Sequence, residues 1–350
     1  MVMTQMGFFD LSDRYGSLDA KKDPLLEIDA VVPWEEFRPA LERIWRKPDA
    51  DRKSRAGRKP IDAVLMFKAL VLSALYNLSD DQTEFQIRDR LSFMRFLDLT
   101  LADRVPDAKT TWLFRDTLAK KGVVETLFEH FSAHLTHSGY LAKGGQIVDA
   151  SLVSCPKQRN KRAENEAIKE GKIPEDWVDK PDKLSQKDLE ARWTKKNGLS
   201  YYGYKNHINV DRTLKLIRKY DVTTASTHDS QALEGLLESE NTADVIWADR
   251  AYRSKKIETL LDEKMIRSQI HHKGQRGKKL SEFKEKVNHK RSKIRCRVEH
   301  IFGAQSQMGP TISRSIGLAR TKAWIGLRNL TYNFRRFVCL ESNIPKLSIC

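Results

Sequence analysis

Cysteine is scarce in this sequence, and its placement argues against two kinds of stabilised fold. The 350 residues include four cysteines, Cys155, Cys296, Cys339 and Cys350, and no two of them form a C-x-x-C pair. No histidines accompany them at the spacing of a zinc site. We therefore expect neither a disulfide scaffold nor a structural zinc, and we expect a reducing compartment.

Targeting segments and long apolar runs are also lacking. The stretch from Met1 to Asp10 has neither the basic start nor the apolar centre of a signal peptide. The longest apolar stretch, Ala63 to Tyr76, is interrupted by Lys68 and is too short to cross a bilayer. These absences predict a soluble, cytoplasmic protein without a membrane partner.

Acidic residues are few relative to basic ones. The chain carries 63 Lys and Arg against 47 Asp and Glu, which gives a formal net charge of +16 and a pI near 9.6. Such an excess favours a polyanionic partner, most simply nucleic acid; a basic pI that reflects only solubility is the alternative. Hydrophobic residues make up 40% of the chain, enough for a proper core in two domains or one elaborated domain.

Residues up to about Tyr140 predict a helical domain, because apolar positions recur at helical spacing behind capping residues. We place its helices at Trp34–Trp45, at Ile61–Asn77 with Pro60 as the first helical residue, at Gln82–Leu97, and from Pro106 onward. A polar, basic linker from Asp49 to Lys59 separates the first two. Short helices with tight connections in a basic protein indicate a helix-turn-helix-like DNA-binding module, with an ordinary helical bundle as the alternative.

The pattern changes at Gly144-Gly145. Behind this glycine turn, Gln146 to Val153 is a short and almost continuous apolar run, which is typical of a buried strand. The run carries one acid, Asp149, at its middle. An ionised carboxylate in a buried strand is costly unless it is paired, so we expect either a metal ion or a buried arginine beside it.

A long charged insertion follows this strand. Cys155 to Asn197 is dense in charges of both signs and contains no core pattern, apart from a helical stretch around Arg162–Lys169. The segment leaves the sheet directly after the strand of Asp149. It is therefore expected either to lie across bound substrate or to form a surface insert.

Strand and helix patterns alternate over the rest of the chain. In order they are strands at Tyr202–Val210 and Leu214–Thr224, a helix after Ser226, a strand from Asp244 that ends on Asp249, a helix at Ser254–Glu263, a strand at Ile266–His271, the helix of Glu299, and a last helix around Trp324–Phe334. Three antiparallel strands followed by strand–helix alternation predict an α/β fold, a mixed sheet with helices on its faces. The basic segment His271–Arg297 suits a phosphate-facing surface. We interpret His207 and His228 as polar surface residues.

Three carboxylates, Asp149, Asp249 and Glu299, come together in this topology. The strands of the two aspartates can lie side by side in parallel, and ligand sites form at strand ends. Oxygen ligands without competing cysteine or histidine favour Mg²⁺ or Mn²⁺. Two such ions ~4 Å apart can activate a water or a 3′-hydroxyl and stabilise the leaving oxygen of a phosphodiester. Arg295, four residues before Glu299, either pairs with that glutamate or contacts a DNA phosphate.

At these residues the sequence resembles the DDE transposases of bacterial insertion sequences, in the IS5 group of the IS4-like superfamily. The motifs around the three acids are Val148-Asp149-Ala150-Ser151, Trp247-Ala248-Asp249-Arg250-Ala251-Tyr252, and Arg295-x-x-x-Glu299 followed by Phe302-Gly303. Shorter motifs extend the likeness over most of the chain from about Gly57 to Arg336. They are Gly57-Arg58-Lys59-Pro60, Leu78-Ser79-Asp80, Val105-Pro106-Asp107, Trp193-Thr194-Lys195-Lys196, Gly203-Tyr204-Lys205 and Asn329-Leu330-x-Tyr332-Asn333.

The resemblance implies a domain plan. Residues 1–140 would form an all-α, helix-turn-helix-like DNA-binding domain, and residues 141–340 a ribonuclease H-like catalytic domain with the charged insertion at about 155–197. Asp149, Asp249 and Glu299 would be the catalytic residues and the ligands of Mg²⁺ or Mn²⁺, with two ions expected. Further DNA contacts would come from Arg295, Arg250, Tyr252 and Lys205.

The resemblance also implies partners and a reaction. The protein would bind the terminal inverted-repeat DNA of its element, cleave at the ends, and join the 3′-OH ends to target DNA by two-metal-ion transesterification. A homodimer or a higher assembly on DNA, associated with the bacterial nucleoid, is expected.

The chain departs from the superfamily's extended motif at two positions. That motif has Tyr three residues before the arginine and Lys seven residues after the glutamate, whereas this chain has Ser292 and Ser306. The DNA contacts attributed to that pair are therefore not carried over. Two other functions fit the same residues: a metal-dependent DNA nuclease without strand transfer, and a DNA-binding repressor whose catalytic domain is idle.

Overall fold

The computed structural model describes residues 10–46, 59–196, 198–239, 241, 243–274 and 279–342. The chain divides into two compact units, one formed by residues 1–115 and 334–350 and the other by residues 116–333. Apart from Lys59, the linker predicted at Asp49–Lys59 lies outside the described residues, as does the Gly57-Arg58 pair.

In its described residues the first unit consists of helices and the loops that connect them. Its helices are α1 (Asp10–Ala20), α2 (Pro24–Val31), α3 (Trp34–Trp45), α4 (Ala63–Tyr76), α5 (Asp80–Asp89), α6 (Leu91–Phe96) and the first half of α7 (Ala108–Lys121). Helix α3 has the predicted bounds. Helix α4 begins later than predicted, because the Asp62 carboxylate, not Pro60, caps it by accepting from the N–H groups of Val64 and Leu65.

Another prediction in this unit was wrong. The single helix expected at Gln82–Leu97 is two helices, because Arg90 has an extended backbone (φ −104°, ψ 116°) that ends α5 and starts α6. Ser79 and Gln82 form a capping box at the start of α5.

Aromatic rings form the core of the first unit. Trp34 meets Phe67, Phe96 and Phe334 edge to face at centroid distances of 5.9, 5.6 and 5.4 Å. Lys68, buried in the apolar helix α4, is tolerated because its ammonium pairs with Asp29 at 2.8 Å and Asp98 at 2.9 Å. No single helix in the described residues is long and apolar enough to span a membrane; only α4 and α5 taken as a pair, bent by 102°, meet that test by length and composition.

The second unit is built on a mixed sheet. Its strands in the described residues are β1 (Gln146–Ser154), β2 (Arg192–Lys196), β3 (Leu199–Asp211), β4 (Ile217–Thr224), β5 (Val245–Trp247) and β6 (Arg267–Ser268). The order is β2-β3-β1-β5-β6, with β4 also paired to β3. Strand β1 is antiparallel to β3 and parallel to β5, and β5 is parallel to β6, so the mixed α/β fold is confirmed.

Helices cover the sheet. They are α8 (Val123–His137), α9 (Arg162–Lys169), α10 (Glu175–Val178), α11 (Pro181–Ser185), α12 (Asp229–Leu236), α13 (Lys255–Glu263), α14 (Glu282–Gln307) and α15 (Leu318–Glu341). Val148 of β1 packs in one apolar cluster with α12 and α13. Val153, on the alternate face of the same strand, packs in another with Ile325 of α15.

A chain of neutral amides joins β3, α15 and α14 in the core of this unit. Asn206 and Asn329 donate to one another at 3.1 and 3.2 Å, and Gln305 donates to the Asn329 side-chain oxygen at 2.7 Å. All three side chains are buried. Because each amide has a partner, this polar contact is stabilising and holds α14 in one register against α15.

Candidate active site

Asp149 lies on β1, and Asp249 follows the end of the neighbouring parallel strand β5. Ile147 of β1 is paired with Trp247, the last residue of β5, and each aspartate comes two residues later in the chain. Two residues along a strand return a side chain to the same face. The prediction that the parallel pairing of β1 and β5 brings these strands together is confirmed.

Asp249 stands immediately after β5, where the chain turns into a short 3₁₀ helix, Arg250–Tyr252. Its carboxylate caps this turn by accepting from the Ala251 N–H at 2.6 Å. One oxygen of Asp249 is thereby fixed by its own backbone. Asp149 is fixed in a similar way, because its Oδ1 accepts from the Ala150 N–H at 2.9 Å.

Arg295 of α14 connects two of the predicted acids. Its Nη1 lies 2.5 Å from Oδ2 of Asp149, and its Nη2 lies 3.5 Å from Oε1 of Glu299, one helical turn away. The sequence predicted either a metal ion or a buried arginine beside Asp149, and the structure places Arg295 there. The Glu299 side chain is 63% exposed, whereas that of Asp149 is 16% exposed. Only the aspartate is therefore strongly desolvated.

Burial raises the pKa of Asp149 to about 6, against an ordinary value of 3.8. The charge of Asp249 raises this pKa further, while Arg295, the Ala150 N–H and the charge of Lys196 lower it. The arginine thus does not fully compensate the desolvation of the carboxylate. A second cation beside Asp149 and Asp249 would favour their ionised forms.

Two residues predicted to contact DNA are held elsewhere in the fold. Tyr252 is fully buried in the apolar cluster with Val148, so its ring packs the core and does not reach a DNA surface. Lys205 forms an ion pair with Asp229, Nζ to Oδ1 2.8 Å, and donates to the Thr227 carbonyl at 2.7 Å, and its side chain is only 13% exposed. Both side chains are thus engaged by contacts within the protein.

Arg250 and the histidines have different surroundings. Arg250 is exposed at the start of the 3₁₀ turn and remains available for DNA. His228 is an exposed residue that caps α12, as its interpretation as a surface residue required. The same interpretation of His207 was wrong: its ring is fully buried, donates to or accepts from Thr223 Oγ1 at 2.8 Å, and has a pKa lowered to about 4 by desolvation.

Two residues near the site were not singled out in the sequence. His271 follows β6, and its Nε2 lies 3.3 Å from the hydroxyl of Ser292. Desolvation and the charge of Arg295 lower the pKa of His271. Lys196 of β2 acts on Asp149 through its charge. The position of His271 at the end of a parallel strand was the available signal for it.

The donor set partly fits a divalent cation. Asp149 and Asp249 provide oxygen ligands of the kind that Mg²⁺ and Mn²⁺ prefer, and the charge of Asp249 acts on Asp149. Glu299 does not join them, since it pairs with Arg295 at the surface. In keeping with this, no group of three or more His, Cys, Asp or Glu side chains in the described residues is arranged to hold a metal ion.

Comparison with known families decides the relationship. The family model described as Transposase DDE domain matches residues 141–334, more than half of the chain. The chain belongs to the DDE transposase family. A second model, described as Transposase domain (DUF772), matches residues 13–117. The enzyme is a metal-dependent DNA transposase, and this family uses divalent metal ions.

A solved structure is also similar to this DDE transposase. The cryo-EM structure of the piggyBac transposase synaptic complex with hairpin DNA matches with a TM-score of 0.44 and 14% sequence identity, over 92% of this chain and 75% of that one. We draw nothing about the site from a likeness at this level.

Proposed function

We propose that this DDE transposase mobilises a bacterial insertion sequence of the IS5 group. It binds the terminal inverted repeats of its element, cleaves at the element ends, and joins the 3′-OH ends to target DNA. The observation that supports this proposal best is that Asp149 lies on β1 and Asp249 just beyond the end of the parallel neighbour β5, with Arg295 of α14 in contact with Asp149 and Glu299. Adjacent carboxylates of this kind suit chemistry on a phosphodiester.

Asp149 and Asp249 would hold a divalent ion, Mg²⁺ or Mn²⁺, and Glu299 would complete the ligand set for a pair of ions. When bound, such ions activate a water or a 3′-hydroxyl and stabilise the leaving oxygen. Asp149 keeps its position because it belongs to a strand that is paired on both sides. The Asp249 carboxylate is held in place by the 3₁₀ turn that it caps. Preorganised carboxylates of this type need no rearrangement during the reaction.

Arg295 has two tasks in this proposal. Without DNA its guanidinium neutralises Asp149 and stays close to Glu299. When DNA and divalent ions bind, the arginine exchanges these carboxylates for a DNA phosphate, a bidentate partner of the same shape. Arg250, exposed beside Asp249, would contact the flanking backbone. Because Glu299 is mostly exposed, its side chain is free to turn toward the aspartates once Arg295 has left.

The rest of the domain plan belongs to the same proposal. The spatial order β4-β3-β1-β5-β6, with only β5 and β6 parallel to β1, is the order expected of a ribonuclease H-like sheet. Residues 141–340 would be this catalytic domain and residues 1–140 the helix-turn-helix-like DNA-binding domain. Since two element ends must be joined together, a homodimer or larger assembly on DNA is the proposed active form.

Cleavage and joining of a short duplex that carries the element's own end tests the proposal. Wild type, Asp249→Ala and the exposed control Asp262→Asn would be compared with Mg²⁺ or Mn²⁺. We expect wild type and control to release a 3′-hydroxyl and form joined product, and Asp249→Ala to do neither while still binding the end.

Two other outcomes would replace the proposal. Metal-dependent cutting by wild type without any joined product would establish the nuclease alternative. Tight end binding without cutting by wild-type protein, under conditions in which it is fully folded, would leave the repressor alternative. Loss of folding in Asp249→Ala would be detected by thermal melting, and Asp249→Asn would then replace it.

A further inference from the structure

A basic pocket lies in the second unit at the end of the sheet where the parallel strands begin. It has a volume of ≈ 360 Å³. Its walls come from the turn before β1, the β3–β4 turn and the first residues of β5 and β6. The lining residues that matter for the inference are Lys143, Arg212, Thr213, Trp247, Arg267 and Gln269.

The charge of this pocket is of one sign. Lys143, Arg212 and Arg267 line it, and no acidic residue does. Among the residues that the structure describes, none of these three side chains forms an ion pair. Three cations that converge on one concavity repel each other unless an anion joins them. The pocket is therefore built for a negatively charged group.

Backbone hydrogen bonds and a contact with the Trp247 ring position Arg212, whereas its guanidinium Nε has no hydrogen-bond partner. Its carbonyl accepts from Nη1 of Arg297 at 3.0 Å, and its N–H donates to the Gly145 carbonyl at 3.0 Å. Its guanidinium lies 5.2 Å from the centroid of the Trp247 ring. Its Nε is buried and has no hydrogen-bond partner. An oxyanion in the pocket would supply the missing acceptor.

The Gly144-Gly145 turn gives the pocket its shape. A Cβ on Gly144 would collide with the Thr213 side chain, and a Cβ on Gly145 would lie 2.6 Å from Trp247 and 2.6 Å from Val245. Gly145 also has φ of +86°, which favours glycine. The backbone thus comes as close to the pocket wall as packing permits.

A buried carboxylate beside the pocket is engaged by backbone donors. Asp211 is buried beside the pocket, and its Oδ1 accepts from the N–H groups of Thr213 and Leu214 at 2.8 and 2.6 Å. Its Oδ2 accepts from the Gly144 N–H at 3.3 Å. Backbone donors therefore satisfy the Asp211 carboxylate, which orders the β3–β4 turn that carries Arg212.

The pocket lies on the same face of the sheet as the aspartates. Trp247, in its wall, is two residues before Asp249 and is paired with Ile147, two residues before Asp149. Two residues along a strand correspond to about 7 Å. Arg297 and Arg295, two residues apart on α14, reach Arg212 and Asp149 respectively. Helix α14 thus connects the basic pocket to the carboxylates.

We propose that Lys143, Arg212 and Arg267 bind a backbone phosphate of the DNA close to the cleaved bond. This inference rests on the proposed function. A duplex carries a phosphate for each ~3.4 Å of axis on each strand, so DNA laid across this face offers phosphates to both places. The contact is independent of base sequence and fixes the position of the strand relative to the aspartates.

The test measures DNA affinity against salt, without divalent ions, for a duplex of arbitrary sequence. The full chain would be compared with the Arg212→Gln/Arg267→Gln variant. The matched control is Arg162→Gln/Lys256→Gln, which removes the same charge from exposed positions on α9 and α13. Each lost phosphate contact lowers the slope of log K against log salt by ~0.9. We expect the pocket variant to lower the slope by ~0.9 and the control to leave it almost unchanged.

Equal slopes for the pocket variant and the control would overturn the proposal. Inorganic phosphate is the second probe: if it stabilises wild type in thermal melting while the DNA slope is unaffected by the variant, the pocket serves a free anion and the proposal also fails. Misfolding is monitored by the same melts, and Lys143→Gln, an exposed side chain, provides a variant with less risk to the fold.

This result is separable from that of the proposed function. The binding assay contains no divalent ion and scores no cleavage, so a transposase that fails to cut can still show the altered slope. Conversely, if wild type cleaves and joins DNA but the pocket variant has the same slope of log K against log salt as wild type, the phosphate-binding proposal is wrong and the proposed function is still supported.

Discussion

Two ion pairs lie on opposite faces of the same central strands and are built very differently. Lys205 of β3 meets Asp229 at the start of α12 and also donates to the Thr227 carbonyl. Arg295 meets Asp149 on the other face, since Asp149 is paired with Ile208 and Lys205 is an odd number of residues away. Both pairs are mostly buried, but only Asp149 is affected by the charge of a second catalytic candidate, Asp249.

The difference separates a structural pair from one prepared for other partners. Asp229 is the first residue of a helix, where the N–H groups of the first turn favour a carboxylate. Asp149 instead has a second carboxylate beside it and a raised pKa, and Nε of Arg295 is buried without an acceptor. A buried carboxylate with a raised pKa next to a second carboxylate is typical of a functional site.

The strongest way to test this comparison is Asp149→Asn. If Asp149 serves chemistry, strand cleavage should fall by about 10³-fold or more, because several kcal/mol of transition-state stabilisation is removed. The same variant should be more stable than wild type without metal at pH 7 to 8. A carboxyl whose pKa is raised from 3.8 to about 6 on folding destabilises the folded state above that range by up to about 3 kcal/mol.

Cleavage assays and urea unfolding at pH 8 and at pH 3.5 measure the two effects. The stability gain should disappear at the lower pH, where the carboxyl is protonated in both states. A variant that is less stable than wild type at pH 8 would show that Asp149 is a structural partner of Arg295.

The complementary change is Lys205→Met. It should destabilise the protein by about 3 kcal/mol, because Asp229 is left charged and mostly buried. Any loss of activity should follow the loss of fold. Equilibrium unfolding measures the change, with exposed Lys256→Met as the control. Adding Asp229→Asn should recover part of the loss; a cost below about 0.5 kcal/mol for Lys205→Met alone would mean that this pair resembles a surface pair.

A third prediction concerns the dependence of stability on pH. His207, on the face of Lys205, has a pKa lowered from 6.5 to about 4 because the folded protein buries it neutral. The unfolded chain therefore binds an extra proton as the pH falls from 6.5 toward 4, and stability is lost over this window by up to about 3 kcal/mol. His207→Gln should remove this loss, whatever it does to stability at pH 8.

The test measures the free energy of unfolding at pH 8, 6, 5 and 4 for wild type, His207→Gln and the exposed control His228→Gln. Its change with pH gives the acid sensitivity of each protein. The control should follow wild type. If His207→Gln loses as much stability on acidification as wild type does, the histidine is not the acid-sensitive group of this face.

Sequence reasoning was most successful where one pattern determined one structure. The run after Gly144-Gly145 predicted β1, and the parallel placement of β1 and β5 follows from strand–helix alternation. Sequence reasoning missed a strand whose residues are mostly charged. Strand β2, Arg192–Lys196, was taken as part of the insertion because it is an exposed, charged edge strand without an apolar face.

Sequence reasoning also did not predict which polar side chains are buried. His207 alternates with apolar residues and therefore suggested a solvent-facing side of β3, but α12 covers that side. Tyr252 follows an acid in a short motif, and nothing local shows that the 3₁₀ turn directs its ring into the core. The domain plan, the catalytic roles of the three acids and the DNA contact of Arg250 stay predictions.

The amide chain Asn206–Asn329–Gln305 has a consequence for the site that it does not touch. Gln305 lies ten residues beyond Arg295 on one continuous helix, about 15 Å away along its axis. Sliding that helix by a single residue would rotate Arg295 and Glu299 by about 100° and carry both away from Asp149. The hydrogen bond of Gln305 thus fixes the rotation of α14 about its own axis, although Gln305 lies far from the site. Because it is uncharged, it sets the rotation of the helix without altering the electric field at the aspartates.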